Sequence, residues 1–193
     1  MSNLLELQTV DDALVIRFTR PEIRNPLSVA VLEELSSVLN DIQNKAVIFT
    51  GVHDVFASGA DLREIAQVSS CEAKEFALRG QSLMNSIEEI AAVTIAAVNG
   101  YCFGGALDLA LACDRRIASP KAKFAHPGAG LGIITGWGGT QRLPRLVCTA
   151  NALELFFTAS PVDADRALQI RLVDEIADDP LRRALELTAA IEI

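Results

Sequence analysis

The chain has 193 residues, half of them hydrophobic, and its 25 acidic and 17 basic residues give a formal net charge of −8. This length allows one domain with a substantial core, the acidic balance disfavours a nucleic-acid-binding surface, and no apolar run is long enough for a membrane-spanning helix. Four dispersed cysteines and two histidines fit neither a disulfide framework nor a metal centre, so we expect no metal and, without a signal-like N-terminus, a cytoplasmic protein.

Strands and helices are predicted to alternate along the chain. Apolar runs predict strands over residues 4–10, 13–19, 46–51, 93–98, 115–119, 123–125 and 172–176, the first two forming a hairpin. Helical periodicity and N-caps predict helices after Ser28, after Asp61, from about Thr140, and over residues 72–90, 106–113, 150–158, 163–168 and 180–191. Such alternation is typical of the α/β class, so we expect a single α/β domain over residues 1–193.

The most informative stretch is residues 99–114, which follows the buried strand predicted at 93–98 and contains a glycine pair and then an apolar helix. Gly104 and Gly105 open a helix whose first backbone N–H groups lack internal partners and can bind an anion or a developing oxyanion. Asp108 interrupts the apolar helix. A carboxylate near a helix N-terminus is also favoured by the dipole alone, and paired glycines also serve close packing. Burial should raise the pKa of Asp108 while the helix N-terminus lowers it.

Two further glycine-containing stretches lie at residues 56–62 and 128–139. Neither satisfies the G-x-G-x-x-G pattern of dinucleotide-binding folds, and the chain contains no phosphate-binding P-loop and no G-x-S-x-G nucleophile turn. Cys102 and Cys113 have no activating partner nearby in the sequence, which favours a core position for both. The sequence therefore gives no support to nicotinamide, nucleotide-hydrolysing or serine-hydrolase chemistry.

Four segments together resemble the crotonase family of enoyl-CoA hydratases and isomerases. They are the Arg-Pro-Glu…Asn loop at 20–25, Phe-Ala-Ser-Gly-Ala-Asp-Leu at 56–62, the stretch 99–114, and residues 132–145 with Gly-Trp-Gly-Gly-Thr-Gln-Arg-Leu-Pro-Arg. Their order and spacing match, and the resemblance covers essentially the whole chain. It implies a crotonase-like spiral of ββα units that binds an acyl-CoA thioester between the glycine turns, with CoA entering as part of the substrate and no separate cofactor.

The resemblance also implies roles for individual residues. The N–H groups of Ala60 and Gly105 correspond to the family's oxyanion hole, and the backbone around Ser58 to the segment that approaches the CoA adenine. Arg24 either meets a CoA phosphate or is a solvated loop charge. Trp137, the one tryptophan, either forms a wall of the acyl pocket or anchors the core.

Two positions depart from the family pattern. Its hydratases use two glutamates, twenty residues apart, as acid and base around one water; here the corresponding residues are Asp108 and Gly128. Aspartate has one methylene less, about 1.5 Å of reach, and glycine cannot transfer a proton. His126, two residues before Gly128, either substitutes as the acid or base or is a packing or hydrogen-bonding histidine.

We therefore expect an enzyme of acyl-CoA or fatty acid metabolism with Asp108 as the acid/base. It would hydrate a 2-enoyl-CoA or isomerise an enoyl-CoA with one base. The alternative is a non-catalytic acyl-CoA-binding or assembly module that has lost the second acid. The resemblance implies a homotrimer or a dimer of trimers, although the family's C-terminal helices are shortened in this 193-residue sequence. No membrane or nucleic-acid partner is expected.

Overall fold

The computed structural model describes residues 4–190, which form an α/β fold of three sheets with helices packed on them. The strands are β1 (Leu5–Val10), β2 (Ala13–Phe18), β3 (Pro26–Leu27), β4 (Ala46–Thr50), β5 (Val55–Ala57), β6 (Gly59–Ala60), β7 (Val93–Val98), β8 (Tyr101–Phe103), β9 (Arg115–Ala118), β10 (Lys123–Ala125), β11 (Val162–Asp163) and β12 (Glu175–Ile176). The helices are α1 (Val29–Asn40), α2 (Leu62–Ile65), α3 (Ala73–Glu89), α4 (Gly105–Ala112), α5 (Gly139–Thr158), α6 (Ala164–Gln169) and α7 (Pro180–Ala189).

The largest sheet has six strands in the order β1-β2-β4-β7-β9-β12. β1 and β2 pair antiparallel through a turn at Asp11, which confirms the predicted hairpin. The pairs β2–β4, β4–β7, β7–β9 and β9–β12 are all parallel. Parallel strands buried on both faces read as continuous apolar runs, which is why β4 and β7 could be located from the sequence.

A smaller sheet in the order β11-β10-β8-β5 lies beside the first, and β3 pairs with β6. The chain repeatedly places one strand in the large sheet, the next in a smaller sheet, and then a helix: β7, β8 and α4, then β9, β10 and α5. These repeats confirm the predicted spiral of ββα units. They also bring the turns that follow β5 and β8 side by side, because β5 and β8 are parallel neighbours.

The main core lies between the large sheet and helices α1, α3 and α4, and a smaller apolar cluster packs under α7 on the opposite face. All of residues 106–112 in α4 are buried, as the apolar sequence of this helix predicts. Ser28 and Asp61 are N-caps whose side chains accept hydrogen bonds from the first turns of α1 and α2. Within residues 4–190, no helix is both long and apolar enough to cross a membrane.

The two helices expected from about Thr140 and over residues 150–158 are both present within α5, separated by a kink at Cys148, whose φ of +67° interrupts the helical backbone. Besides shifts of one residue at several element ends, two sequence-based boundaries differ from the structure. The strand expected over 172–176 is restricted to β12, because the amide of Leu172 instead bonds the carbonyl of Ala167 in a turn. The last helix ends at Ala189, and residue 191 lies outside the described residues.

Candidate active site

The two glycine turns that follow β5 and β8 are in direct contact. Gly59 has a φ of +84° and Gly104 a φ of +56°, backbone conformations that favour glycine. A Cβ atom on Gly59 would lie 2.6 Å from the backbone nitrogen of Gly105, and one on Gly105 would lie 3.3 Å from the backbone nitrogen of Ala60. The absence of side chains at both glycines therefore brings the two candidate oxyanion-hole residues, Ala60 and Gly105, together.

A cavity of about 390 Å³ opens at these turns. Both Ala60 and Gly105 line it, as do residues from α3, α4 and the glycine-rich loop before α5. Much of its wall is apolar, with Phe76 from α3 and Ile133 and Ile134 from the loop. Its shape and composition, an apolar pocket with a few polar groups, are typical of a small-molecule site.

Asp108 is the carboxylate of this cavity and is only 1% exposed. The hydroxyl of Thr135 donates a hydrogen bond to its Oδ2 atom. Its Oδ1 atom has no hydrogen-bond partner within residues 4–190 and lies 3.6 Å from Nε2 of His126. A Cβ atom on Gly139 would lie 2.1 Å from Oδ1, so residue 139 must lack a side chain for the carboxylate to fit.

Burial raises the pKa of Asp108 from 3.8 to about 7, because the charged form loses its hydration. The hydrogen bond from Thr135, the backbone amides of Trp137 and Gly139, and the charge of Arg142 lower the pKa and only partly offset the burial. Burial raises the pKa as expected from the sequence, and the groups that lower it lie in the loop before α5 and in its first turn rather than at the N-terminus of α4. A carboxyl with a pKa near neutrality can exchange a proton in both directions at physiological pH.

His126 is also buried, at 3% exposure, and its ring packs on Phe156 with 5.1 Å between the ring centroids. Neither ring nitrogen has a hydrogen-bond partner in the described part of the chain. Burial lowers the pKa of His126 from 6.5 to about 4, so the imidazole is neutral where Asp108 titrates. The structure thus places His126 in the same cavity as Asp108, as an uncharged ring.

Trp137 both anchors the core and lines the cavity, so the two roles considered for it are compatible. Its indole lies between Gly80 of α3 and Gly105. A Cβ atom on Gly80 would lie 2.2 Å from the indole ring, and a Cβ atom on Gly105 would lie 2.4 Å from it. Phe76 packs nearby, with 6.1 Å between ring centroids. The indole therefore supports the α-carbon of Gly105, one of the two candidate oxyanion-hole residues.

Gly128 lines the cavity but has no room for a side chain. A Cβ atom there would lie 2.5 Å from the carbonyl oxygen of Ile133, whose amide donates a 3.0 Å hydrogen bond back to the Gly128 carbonyl. The loop that carries Gly128 is therefore closed on itself. The second carboxylate of the family pattern is missing, and this loop leaves no room for a side chain at residue 128.

Of the two remaining candidate residues, Ser58 lines the cavity and Arg24 does not. Ser58 lines it, and its amide donates a 3.4 Å hydrogen bond to the carbonyl of Asn25. Arg24 is exposed on the loop before β3 and is not among the lining residues, so a contact with a CoA phosphate stays a prediction. In the same loop, the buried side chain of Asn25 bonds the amide of Arg20 and the carbonyls of Val55 and Phe56.

Thr135 is the polar residue that the sequence analysis missed. It lies 27 residues after its partner Asp108, in a glycine-rich segment without a recognisable polar motif, so no local signal connects the two. Arg142 is the second omission: it forms an ion pair with Glu88 and donates a 2.8 Å hydrogen bond to Asn85. These contacts join the start of α5 to α3. They also fix the position of the Arg142 guanidinium, whose charge lowers the pKa of Asp108.

Comparisons with known proteins agree with this geometry. A sequence model described as enoyl-CoA hydratase/isomerase matches residues 9–191. The chain is 39% identical over 181 residues to a short-chain-enoyl-CoA hydratase of Clostridium acetobutylicum, covering 91% of this chain and 69% of that protein. It is 39% identical over 175 residues to a crotonyl-CoA hydratase of Syntrophomonas wolfei, covering 88% of this chain and 67% of that protein.

The fold comparison gives the same family. The crystal structure of an enoyl-CoA hydratase from Thermoplasma volcanium superposes with a TM-score of 0.93 at 31% identity, covering 98% of this chain and 77% of that one. The chain spans about two thirds of the length of the curated relatives it matches. With the family model matching nearly all of the sequence and the ββα spiral present, this chain belongs to the crotonase, or enoyl-CoA hydratase/isomerase, family.

Proposed function

We propose that this protein is an acyl-CoA enzyme that hydrates a 2-enoyl-CoA thioester, with Asp108 as its acid/base. The contact between the two glycine turns is the observation that carries the proposal. It brings the backbone nitrogens of Ala60 and Gly105 together beside one cavity that also contains Asp108. Two N–H donors on a thioester oxygen stabilise the enolate formed during addition, and loss of one such donor typically costs about 10²–10³-fold in rate.

In the proposed reaction, ionised Asp108 takes a proton from water while the water oxygen bonds to the β-carbon of the substrate. The electron pair of the double bond moves into the thioester, and the resulting enolate oxygen accepts hydrogen bonds from Ala60 and Gly105. The enolate then collapses and its α-carbon takes the proton held by Asp108. One water has been added, and the carboxylate is regenerated for the next cycle.

A single carboxylate also fits enoyl-CoA isomerisation. In that reaction Asp108 would remove a proton beside the thioester and return it two carbons further along the chain. The relatives named above are hydratases, which favours hydration as the first assay. The apolar walls of the cavity favour a hydrocarbon acyl group over a charged one.

The competing proposal is an acyl-CoA-binding or assembly module without turnover. The observation that favours it is the loop at Gly128, which leaves no room for a second carboxylate. Asp108 distinguishes the two, because a binding module has no need of a buried carboxyl whose pKa is near 7.

The test is a spectrophotometric screen against short- and medium-chain 2-enoyl- and 3-enoyl-CoA thioesters, run beside a binding titration. Trp137 is the single tryptophan and lines the cavity, so its fluorescence reports ligand entry directly. Loss of the conjugated enoyl absorbance with water addition supports hydration. Tight binding of acyl-CoA without turnover of any thioester supports the binding module, and absence of both would contradict each proposal.

We also propose that the protein works as a homotrimer or a dimer of trimers, in the cytoplasm, and that it needs no cofactor beyond the CoA of its substrate. An exposed apolar surface on α5, where Leu153 and Phe157 are 45% and 78% exposed one turn apart, supports assembly. Light scattering at micromolar concentration tests it. A clean monomer would contradict this part of the proposal and leave the chemistry of the site unaffected.

A further inference from the structure

We propose that His126 is a positioning residue for the water of the hydration reaction, and that its imidazole and the free oxygen of Asp108 hold this water between them. The inference rests on the proposed function, since only in hydration is water a substrate. It assigns to an uncharged ring the place that a second carboxylate takes in the family pattern.

Three buried polar atoms without partners carry the inference. They are Oδ1 of Asp108 and both ring nitrogens of His126, none of which has a hydrogen-bond partner among residues 4–190. Oδ1 and Nε2 lie 3.6 Å apart, too far for a good direct hydrogen bond. A water at about 2.8 Å from each atom would bridge them, and buried polar groups are normally satisfied by such waters. Because both atoms are almost fully covered in the structure, the two side chains must separate slightly to admit it.

The residues packed around Asp108 and His126 restrict where a bridging water can lie. Oδ2 of Asp108 already accepts a hydrogen bond from Thr135. The backbone amides of Trp137 and Gly139 approach the carboxylate from the start of α5, without a well-aligned hydrogen bond to Oδ1. The ring of His126 packs on Phe156. Both Asp108 and His126 line the cavity, so a water between Oδ1 and Nε2 lies at the wall where the substrate binds.

The chemistry of the two groups assigns them different roles. The water donates one proton towards Oδ1, and Nε2–H of the neutral imidazole donates to the water oxygen, which leaves a lone pair for the β-carbon. His126 keeps its own proton throughout, and Asp108 alone exchanges one. In this arrangement His126 acts by fixing where the water lies, and misplacing a reacting group by about 1 Å costs on the order of 10²-fold in rate.

Two substitutions separate this role from proton transfer and from packing. In His126→Gln the side-chain amide can still hold a water but cannot act as an acid or a base, and in His126→Leu a similar volume remains without a polar atom. We expect kcat to stay within about tenfold of wild type in His126→Gln and to fall about 10²-fold in His126→Leu. The same pair of changes at His53, which is exposed on a turn outside the cavity, is the control for loss of a histidine.

A crystal structure at pH 8 provides a readout that does not depend on turnover. We expect an ordered water within hydrogen-bonding distance of both Oδ1 of Asp108 and Nε2 of His126 in the wild type, and its loss in His126→Leu. Absence of this water from a well-ordered wild-type site would overturn the inference. If the water is present but no enoyl-CoA is turned over, the water site stands and the proposed function fails.

The kinetic outcomes are equally decisive. Equal losses of kcat in His126→Gln and His126→Leu would overturn the positioning role, because they would assign proton transfer to the imidazole. Wild-type kcat in His126→Leu would overturn it in favour of packing alone. Nitrogen NMR of the two histidines adds an independent check, since we expect His126 to stay neutral and protonated at Nε2 between pH 6 and 8.

Discussion

Replacing Asp108 by asparagine should make the protein more stable and less active at the same time. The pKa of the carboxyl is about 7 in the folded protein and 3.8 in an unperturbed chain. Between these values the folded state binds more protons than the unfolded state, so the free energy of unfolding falls as the pH rises from about 4 to about 7. The asparagine side chain carries no charge and avoids this loss.

The pKa shift sets the size of the effect. Each pKa unit is worth about 1.4 kcal/mol, so the stability advantage of Asp108→Asn should grow by about 3 kcal/mol between pH 5 and pH 8. The amide keeps an oxygen that can accept the hydrogen bond from Thr135, so packing changes little. Urea unfolding of both proteins at the two pH values measures the difference, with Asp41→Asn, an exposed carboxyl at the end of α1, as the charge control.

The same variant tests the mechanism. Asparagine cannot accept a proton, so turnover of an accepted enoyl-CoA should fall by about 10²-fold or more, while acyl-CoA binding followed by Trp137 fluorescence stays nearly unchanged. A stability difference that is the same at pH 5 and pH 8 would refute the raised pKa. Wild-type turnover in the variant would remove Asp108 from the mechanism and leave His126 as the candidate acid/base.

The remaining predictions concern the groups around Asp108. Wild-type turnover should rise with pH to a plateau above about 7, and Thr135→Val should move this rise to higher pH, whereas Thr135→Ser should not. Gly80→Ala should push the indole of Trp137 towards the oxyanion hole, raising KM and destabilising the fold by about 1–3 kcal/mol; an unchanged KM would contradict this packing. Gly128→Glu should lower the melting temperature without raising turnover, because its Cβ would meet a backbone carbonyl at 2.5 Å; increased turnover would show that the loop can open.

Local backbone requirements explain why much of the site could be predicted from the sequence. The turns at Gly59 and Gly104 need positive φ values, which favour glycine. The helix after Gly105 is apolar and therefore has to be buried. Both features can be recognised from a few consecutive residues. The order of these motifs then identified the family. Ala60, Gly105, Asp108 and His126 accordingly line one cavity.

Contacts between distant residues explain what could not be predicted. The hydrogen bond from Thr135 to Asp108 depends on how the loop before α5 folds over α4, and no periodicity encodes it. The closure of the Gly128 loop depends on the amide of Ile133, five residues later, which donates a hydrogen bond to the carbonyl of Gly128.

The two departures from the family pattern support a common interpretation of the site. Two carboxylates facing one water would raise each other's pKa by repulsion of like charges. In the described part of this chain Asp108 is the only carboxylate that lines the cavity, and its pKa is raised by burial instead. With Gly128 uncharged and His126 neutral, a single ionisation controls the site. In the proposed reaction the water is held by a group that stays neutral while Asp108 titrates, and the imidazole 3.6 Å from Oδ1 of Asp108 has that property.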